Sequence, residues 1–204
     1  MAARSPFSPA DLALLACYLP AISLRDRLLL RLGLEAGFRA RELASLTLRH
    51  VVAPDGVVLR SVTLARRHLK GGQGPRRRSV RSRTVPLSDA LRGLIQEWYH
   101  VRRQQRADLD SPLFPSRFRG RAIGALRVNQ LVQMHARAAG ISTANLGSHS
   151  LRKTFANRVY AATGHDIVVT QQALGHASIT STVAYLRPAD SAATAAILAA
   201  AQFP

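Results

Sequence analysis

The chain has 204 residues, 47% of them hydrophobic, which is enough apolar material for one substantial core and too little length for a second large domain. It carries 29 Lys+Arg against 11 Asp+Glu, a formal charge of +18, so its expected partner is a polyanion. A single cysteine, Cys17, excludes an intrachain disulfide and a cysteine-based zinc site; no apolar run is long enough to span a membrane and the N-terminus has no signal-peptide pattern, so the expected setting is the cytoplasm, without a membrane partner.

In chain order, SPADLALLACY (8–18) opens on a Ser-Pro start signal and predicts a helix. SLRDRLLLRLGLEAG (23–37) predicts a second, stopped at Gly37, and residues 39–46 a short third. In VVAPDGVVL (51–59), Pro-Asp-Gly between β-branched runs predicts two strands joined by a turn. VRSRTVPL (80–87) alternates like a further strand, and together these predict a small three-stranded antiparallel sheet in an α+β, mostly helical chain.

Between the strands lies HLKGGQGPRRRS (68–79), a Gly- and Arg-rich loop. Ser88 caps a helix running to about residue 105, on which Leu87, Leu91, Leu94, Ile95, Trp98 and Val101 recur at helical spacing; Trp98 is read as core rather than ligand. SPLFPSRFRGRA (111–122) is a connection, and RVNQLVQMHARAAG (127–140) a helix closed by Gly140. Helices at about 149–163, 165–174 and 178–186 follow, broken at Gly164 and Gly175; the alanine-rich stretch 189–203 has helix-forming composition and needs something to pack on.

Only Lys70 and Lys153 are lysines; every other basic residue is an arginine, whose planar fork can hold two phosphate oxygens at once. In HSLR (149–152), His149 and Arg152 are three residues apart, on one helix face, where they can hold one phosphate together. In GFRARE (37–42), Arg39 follows a helix-breaking glycine and Glu42 can fix its guanidinium. Taken singly, the first reads sooner as a surface pair and the second sooner as an ion pair within a helix. LGHASITSTVAYL (174–186) adds His176 in a tight turn and Tyr185 nine residues later.

The ordered set Arg39, Lys70, His149-x-x-Arg152, Leu174-Gly175-His176, Tyr185, with R-T-V-P-L after the lysine loop, resembles the catalytic domain of the tyrosine recombinases, the phage integrase family, over residues 8–190. The resemblance implies a mostly helical catalytic domain over 1–188 and a site-specific recombinase that cuts and rejoins DNA through a 3′-phosphotyrosyl intermediate. Its catalytic residues would be Arg39, Lys70, His149, Arg152, His176 and Tyr185, with Glu42 supporting and neither cofactor nor metal required. Arg39 and Arg152 would clamp the phosphate, Tyr185 attack, His149 accept a proton, Lys70 protonate the leaving 5′-oxygen and His176 bind the phosphate.

The arginines Arg66, Arg67, Arg76, Arg77, Arg78, Arg81 and Arg83, with Lys153, are expected to contact DNA. The loop around Lys70 is longer and richer in arginine than the family's usual hairpin. The pattern starts almost at residue 1, so the expectation is a catalytic domain without an N-terminal core-binding domain, either a short recombinase similar in layout to the fimbrial DNA-inversion recombinases or a fragment of a longer one. In the family, a segment like 189–204 docks on a neighbouring protomer within a tetramer on paired DNA half-sites; packing on its own domain is the alternative, and the free protein is expected as a monomer or weak dimer. A type IB topoisomerase and a non-catalytic DNA-binding regulator are the alternatives; the L-G-H turn close to tyrosine favours the recombinase, and a regulator needs the cations but no nucleophile.

Overall fold

A computed structural model describes residues 4–64, 82–117 and 120–186. Helix α1 (Pro9–Tyr18) begins with a reciprocal cap: the Ser8 hydroxyl accepts from Asp11 N–H while the Asp11 carboxylate accepts from Ser8 N–H. Helix α2 (Leu24–Ala36) is capped by Ser23, and Leu28, Leu29, Leu30, Leu32 and Leu34 leave it buried on several sides. It is the central helix, lying against α4 (Asp89–Gln104) and α6 (Ser148–Ala162). The short α3 (Ala40–Ser45) packs on α5 (Ala125–Ala138), α7 (Ile167–Leu174) packs on α6, and α8 (Ile179–Val183) packs on α7.

The apolar stripe on α4 lies as its spacing predicts, with Leu91, Leu94, Ile95 and Trp98 buried; Trp98 Nε1–H donates to Leu113 O at 2.8 Å. Among the described residues the chain is mostly helical, with a small antiparallel sheet, as expected from the sequence. That sheet has two strands rather than three: β1 (Ser61–Leu64) pairs with β2 (Arg83–Pro86). The 51–59 segment makes a single bridge, Val52 to Val58. Its first arm is already occupied by a 3-10 turn, Leu48–His50, whose Leu48 carbonyl takes both Val51 N–H and Val52 N–H, so few ladder donors remain. The loop 68–79 and the stretch 189–204 lie outside the described residues. No helix among those described is long and apolar enough to cross a membrane.

A buried polar network fastens the first helices together. Asp26 faces His135 Nε2 at 3.1 Å and Arg25 Nε at 2.8 Å, and the other imidazole nitrogen meets the Tyr18 hydroxyl at 3.2 Å, so α1, α2 and α5 share one chain of hydrogen bonds. Burial alone would raise the Asp26 pKa, but the hydrogen bonds from His135 and Arg25 and their charges outweigh it and bring it from 3.8 to about 2. A carboxylate with a depressed folded pKa adds stability that is fully present above its unfolded value and lost as pH falls toward the folded one. Asp26→Asn is therefore expected to be less stable than the parent at pH 7 by about 2 kcal/mol, with the gap closing between about pH 4 and pH 2. Denaturant melts of both proteins across that range check it; a gap independent of pH would assign the loss to packing instead.

Candidate active site

Two helices end side by side. Gly37 and Gly175 close α2 and α7 in the left-handed conformation, at φ 61° and 62°. A Cβ would fall 2.3 Å from the Phe155 ring at Gly37 and 2.9 Å from Arg83 Cδ at Gly175, so both positions need glycine for space as well as for φ. The last carbonyls of a helix have no partner within it and carry its negative end. Here two arginines supply the donors. Arg152 Nη1 donates to Gly37 O and Nη2 to Leu174 O, both at 2.6 Å, while Arg83 Nη2 donates to Ala36 O at 2.7 Å and its Nε to Ala173 O at 3.0 Å.

A third arginine joins them around one carboxylate. Glu42, buried in α3, accepts from Arg39 Nη1 at 2.7 Å and from Arg39 N–H at 2.8 Å. Its Oε2 lies 3.8 Å from Arg152 Nη1 and 3.9 Å from Arg83 Nη1. Three guanidinium groups thus face one carboxylate, a local surplus of positive charge that an anion would neutralise. Both readings of Arg39 and Glu42 hold at once: they are an ion pair and part of a cation cluster. Arg39, with 21% of its side chain exposed, is the member turned to solvent, whereas Arg152 is fully buried. Burial, with the charges of Arg39 and Arg83, lowers the Arg152 pKa to about 9, which leaves it charged at neutral pH.

His176 and Tyr185 close the other side. Burial first, then Arg152, Arg39 and Arg83, push the His176 pKa down to about 3, so the ring is neutral at physiological pH. Its Nδ1 lies 3.0 Å from the hydroxyl of the fully buried Thr182. With Thr182 donating to Nδ1, the proton sits on Nε2, where the ring can donate to an anion. The Tyr185 ring packs edge-on to His176, with centroids 5.1 Å apart, and 5.9 Å from the Arg152 guanidinium carbon. Asn157 Nδ2 holds the Tyr185 carbonyl at 3.2 Å, and among the described residues none hydrogen-bonds the phenol oxygen.

His149 is exposed in the first turn of α6, one turn before Arg152, and Lys153 is half-buried beside it. The structure therefore gathers Arg39, Glu42, Arg152, His176 and Tyr185 at one place. Lys70 and Arg66, Arg67, Arg76, Arg77, Arg78 and Arg81 lie outside the described residues. Arg83 corrects an expectation: read as a DNA-contacting surface arginine, it is 5% exposed and turned inward, because on β2 it shares the buried face with Val85. The sequence carried that signal, since Arg83, Val85 and Leu87 are in phase. Thr182 was missed altogether; three residues before the tyrosine it looks like any threonine of a short helix.

Comparison with known proteins gives a consistent result. The model of the phage integrase family matches residues 11–192. The tyrosine recombinase XerC of Ralstonia pickettii (strain 12J) is 33% identical over 171 residues, which are 81% of this chain and 50% of that protein. The tyrosine recombinase XerD of Pseudomonas aeruginosa is 31% identical over 169 residues, 80% of this chain and 50% of that one. The chain thus spans about half the length of the curated relatives it matches. Among solved structures, the XerA recombinase superposes with a TM-score of 0.73 at 21% identity, over all of this chain and 66% of that one. The XerH site-specific recombinase in a pre-cleavage complex with its difH substrate gives 0.71 at 23%, over 95% and 53%.

Proposed function

The chain belongs to the phage integrase family, and on that premise we propose that it is a site-specific recombinase that cuts and rejoins double-stranded DNA in the cytoplasm through Tyr185. The observation that carries this reading is the cation cluster itself: three guanidiniums around buried Glu42, with a neutral His176 and the Tyr185 ring against it. Negative charge grows on the non-bridging oxygens when a phosphodiester is attacked in line, and cations fixed beforehand stabilise it without reorganising. Tyr185 Oη attacks phosphorus and the bond to the 5′-oxygen breaks, giving a 3′-phosphotyrosyl ester and a free 5′-hydroxyl. The phenol proton passes to His149, and Lys70 supplies one to the leaving oxygen. Reversal by a different 5′-hydroxyl joins new strands with no external energy source. Arg39 and Arg152 hold the phosphate, and His176 donates to it through Nε2.

We assign the pairing of sites to a homotetramer on DNA with paired recombination half-sites, with residues 189–204 of one protomer docking on the next. Four exposed aliphatic residues on the last two described helices, Val168 and Val169 on α7 and Ile179 and Val183 on α8, support an assembly surface on that part of the chain.

The test uses a pool of nicked duplexes with randomised sequence around the nick, in which the short cleaved strand diffuses away and traps the covalent complex. Adducts recovered from the pool define a captured duplex, and strand exchange between two copies of it separates a recombinase from a nicking-closing enzyme. No adduct anywhere in the pool would leave only a DNA-binding regulator. With the captured duplex, Lys70→Ala is expected to cleave slowly, by roughly 10²-fold or more, and to recover when the bridging 5′-oxygen is replaced by sulfur, which leaves without a proton. Equal impairment on both substrates would remove Lys70 from the general-acid role.

A further inference from the structure

Arg83 is the one member of the cluster with no part in the chemistry above, yet it is among the most constrained side chains in the molecule. Its side chain is 4% exposed, and it enters the site from the sheet, whereas Arg152 comes from α6 and Arg39 and His176 from the turns after α2 and α7. Two of its three nitrogens are used: Nη2 on Ala36 O and Nε on Ala173 O. Its Nη1 is buried without a hydrogen bond, 3.9 Å from Glu42 Oε2. The guanidinium carbon lies 5.7 Å from the Phe38 ring centroid and 6.0 Å from that of Phe155, so aromatic faces hold it from two sides. Ala36 stands three residues before Arg39 and Ala173 three before His176. One side chain therefore spans the two turns that present a phosphate-facing cation and a phosphate-facing imidazole.

We propose that Arg83 is a positioning residue of the phosphate site: by bridging the carboxyl ends of α2 and α7 and facing Glu42, it sets Arg39 and His176 in register with each other. This rests on the strand-cleavage reading given above. The arrangement has a second consequence, because a buried cation against Glu42 keeps that carboxylate turned to both Arg39 and Arg152 rather than to either alone. Lysine cannot replace it. An ammonium group is a point charge that can neutralise Glu42 but cannot reach two helix ends and a carboxylate with a rigid fork. The two carbonyls and Glu42 belong to α7, α2 and α3, so the site's geometry is built by the fold and its precision depends on the sheet.

The experiment is a set of single-turnover cleavage and binding measurements on the captured duplex with the parent, Arg83→Lys, Glu42→Gln and the double variant. Arg83→Lys is expected to bind the duplex within about twofold of the parent, with an unchanged salt slope, because it touches no DNA. Its cleavage rate constant is expected to fall roughly 30- to 100-fold, the scale of a small misplacement of reacting groups. Because Arg83 acts through Glu42, adding Glu42→Gln to Arg83→Lys should cost much less than Glu42→Gln costs the parent.

A cleavage rate equal to the parent's, or losses that simply multiply, would overturn the proposal. So would affinity that falls in step with the rate and with a shallower salt slope, which would return Arg83 to direct DNA contact. Should Arg83→Lys not fold, the same rate and affinity measurements on Arg83→Gln carry the test: a lost rate with kept affinity is expected, and a rate equal to the parent's would overturn the proposal. Failure of the parent to form any adduct is a different outcome, which removes the cleavage reading itself.

Discussion

Tyr185→Phe is expected to bind the captured duplex within about threefold of the parent while covalent adduct falls by roughly 10⁴-fold or more, the scale on which loss of a nucleophile acts. The substitution removes one oxygen and nothing else that the fold uses. Among the described residues none hydrogen-bonds that hydroxyl, and the contacts of Tyr185 are made by its ring, against His176 and over Arg152, and by its backbone carbonyl, to Asn157. Phenylalanine keeps all of these. The cation cluster is therefore left intact to hold DNA, and only the attacking atom is gone. Denaturant profiles of the two proteins should overlay, and adduct formation is read on denaturing gels after incubation with the nicked duplex. Appreciable adduct in the variant would place the nucleophile on another side chain.

Arg152→Lys is the second large effect, and it differs from the first by damaging fold and chemistry together. Arg152 reaches Gly37 O and Leu174 O with separate nitrogens, and each is the terminal carbonyl of a buried turn. A lysine ammonium can satisfy one of them, which leaves the other buried and unpaired at a cost of about 1–3 kcal/mol. The loss of a preset donor at the phosphate costs roughly 10²–10³ in rate on its own. Cleavage of the captured duplex is thus expected to fall by roughly 10³-fold while the midpoint of denaturation also drops. A stable variant with near-parent cleavage would show that Arg152 is neither a tie nor a clamp.

The helices were legible in the sequence because each is amphipathic or bounded by a signal with one physical meaning: Ser8 and Ser88 as N-caps, Gly37 and Gly175 as left-handed stops. The 51–59 segment does turn at Pro-Asp-Gly, with Ala53 N–H on Val57 O and Leu59 N–H on Val51 O, but its pairing stops at one bridge because a 3-10 turn claims the start of the first arm. At the site, the ordered motifs that resemble the family singled out Arg39, Arg152, His176 and Tyr185, and the structure brings these four side chains close together. Arg83 was misplaced because its charge outweighed its phase: an arginine in step with Val85 and Leu87 belongs to the buried face, where it needs carbonyl and carboxylate partners supplied by distant segments. Thr182 carried no local signal, since its role depends on where a turn six residues earlier points His176.

The most direct test of the account is to digest the trapped covalent complex formed by the full chain and to locate the nucleotide-modified residue by mass spectrometry. A single modified peptide is expected, with the 3′-phosphate of the cleaved strand esterified to Tyr185. Modification at Tyr160 or Tyr99, or at a serine, or an adduct carrying a 5′-phosphate, would contradict it.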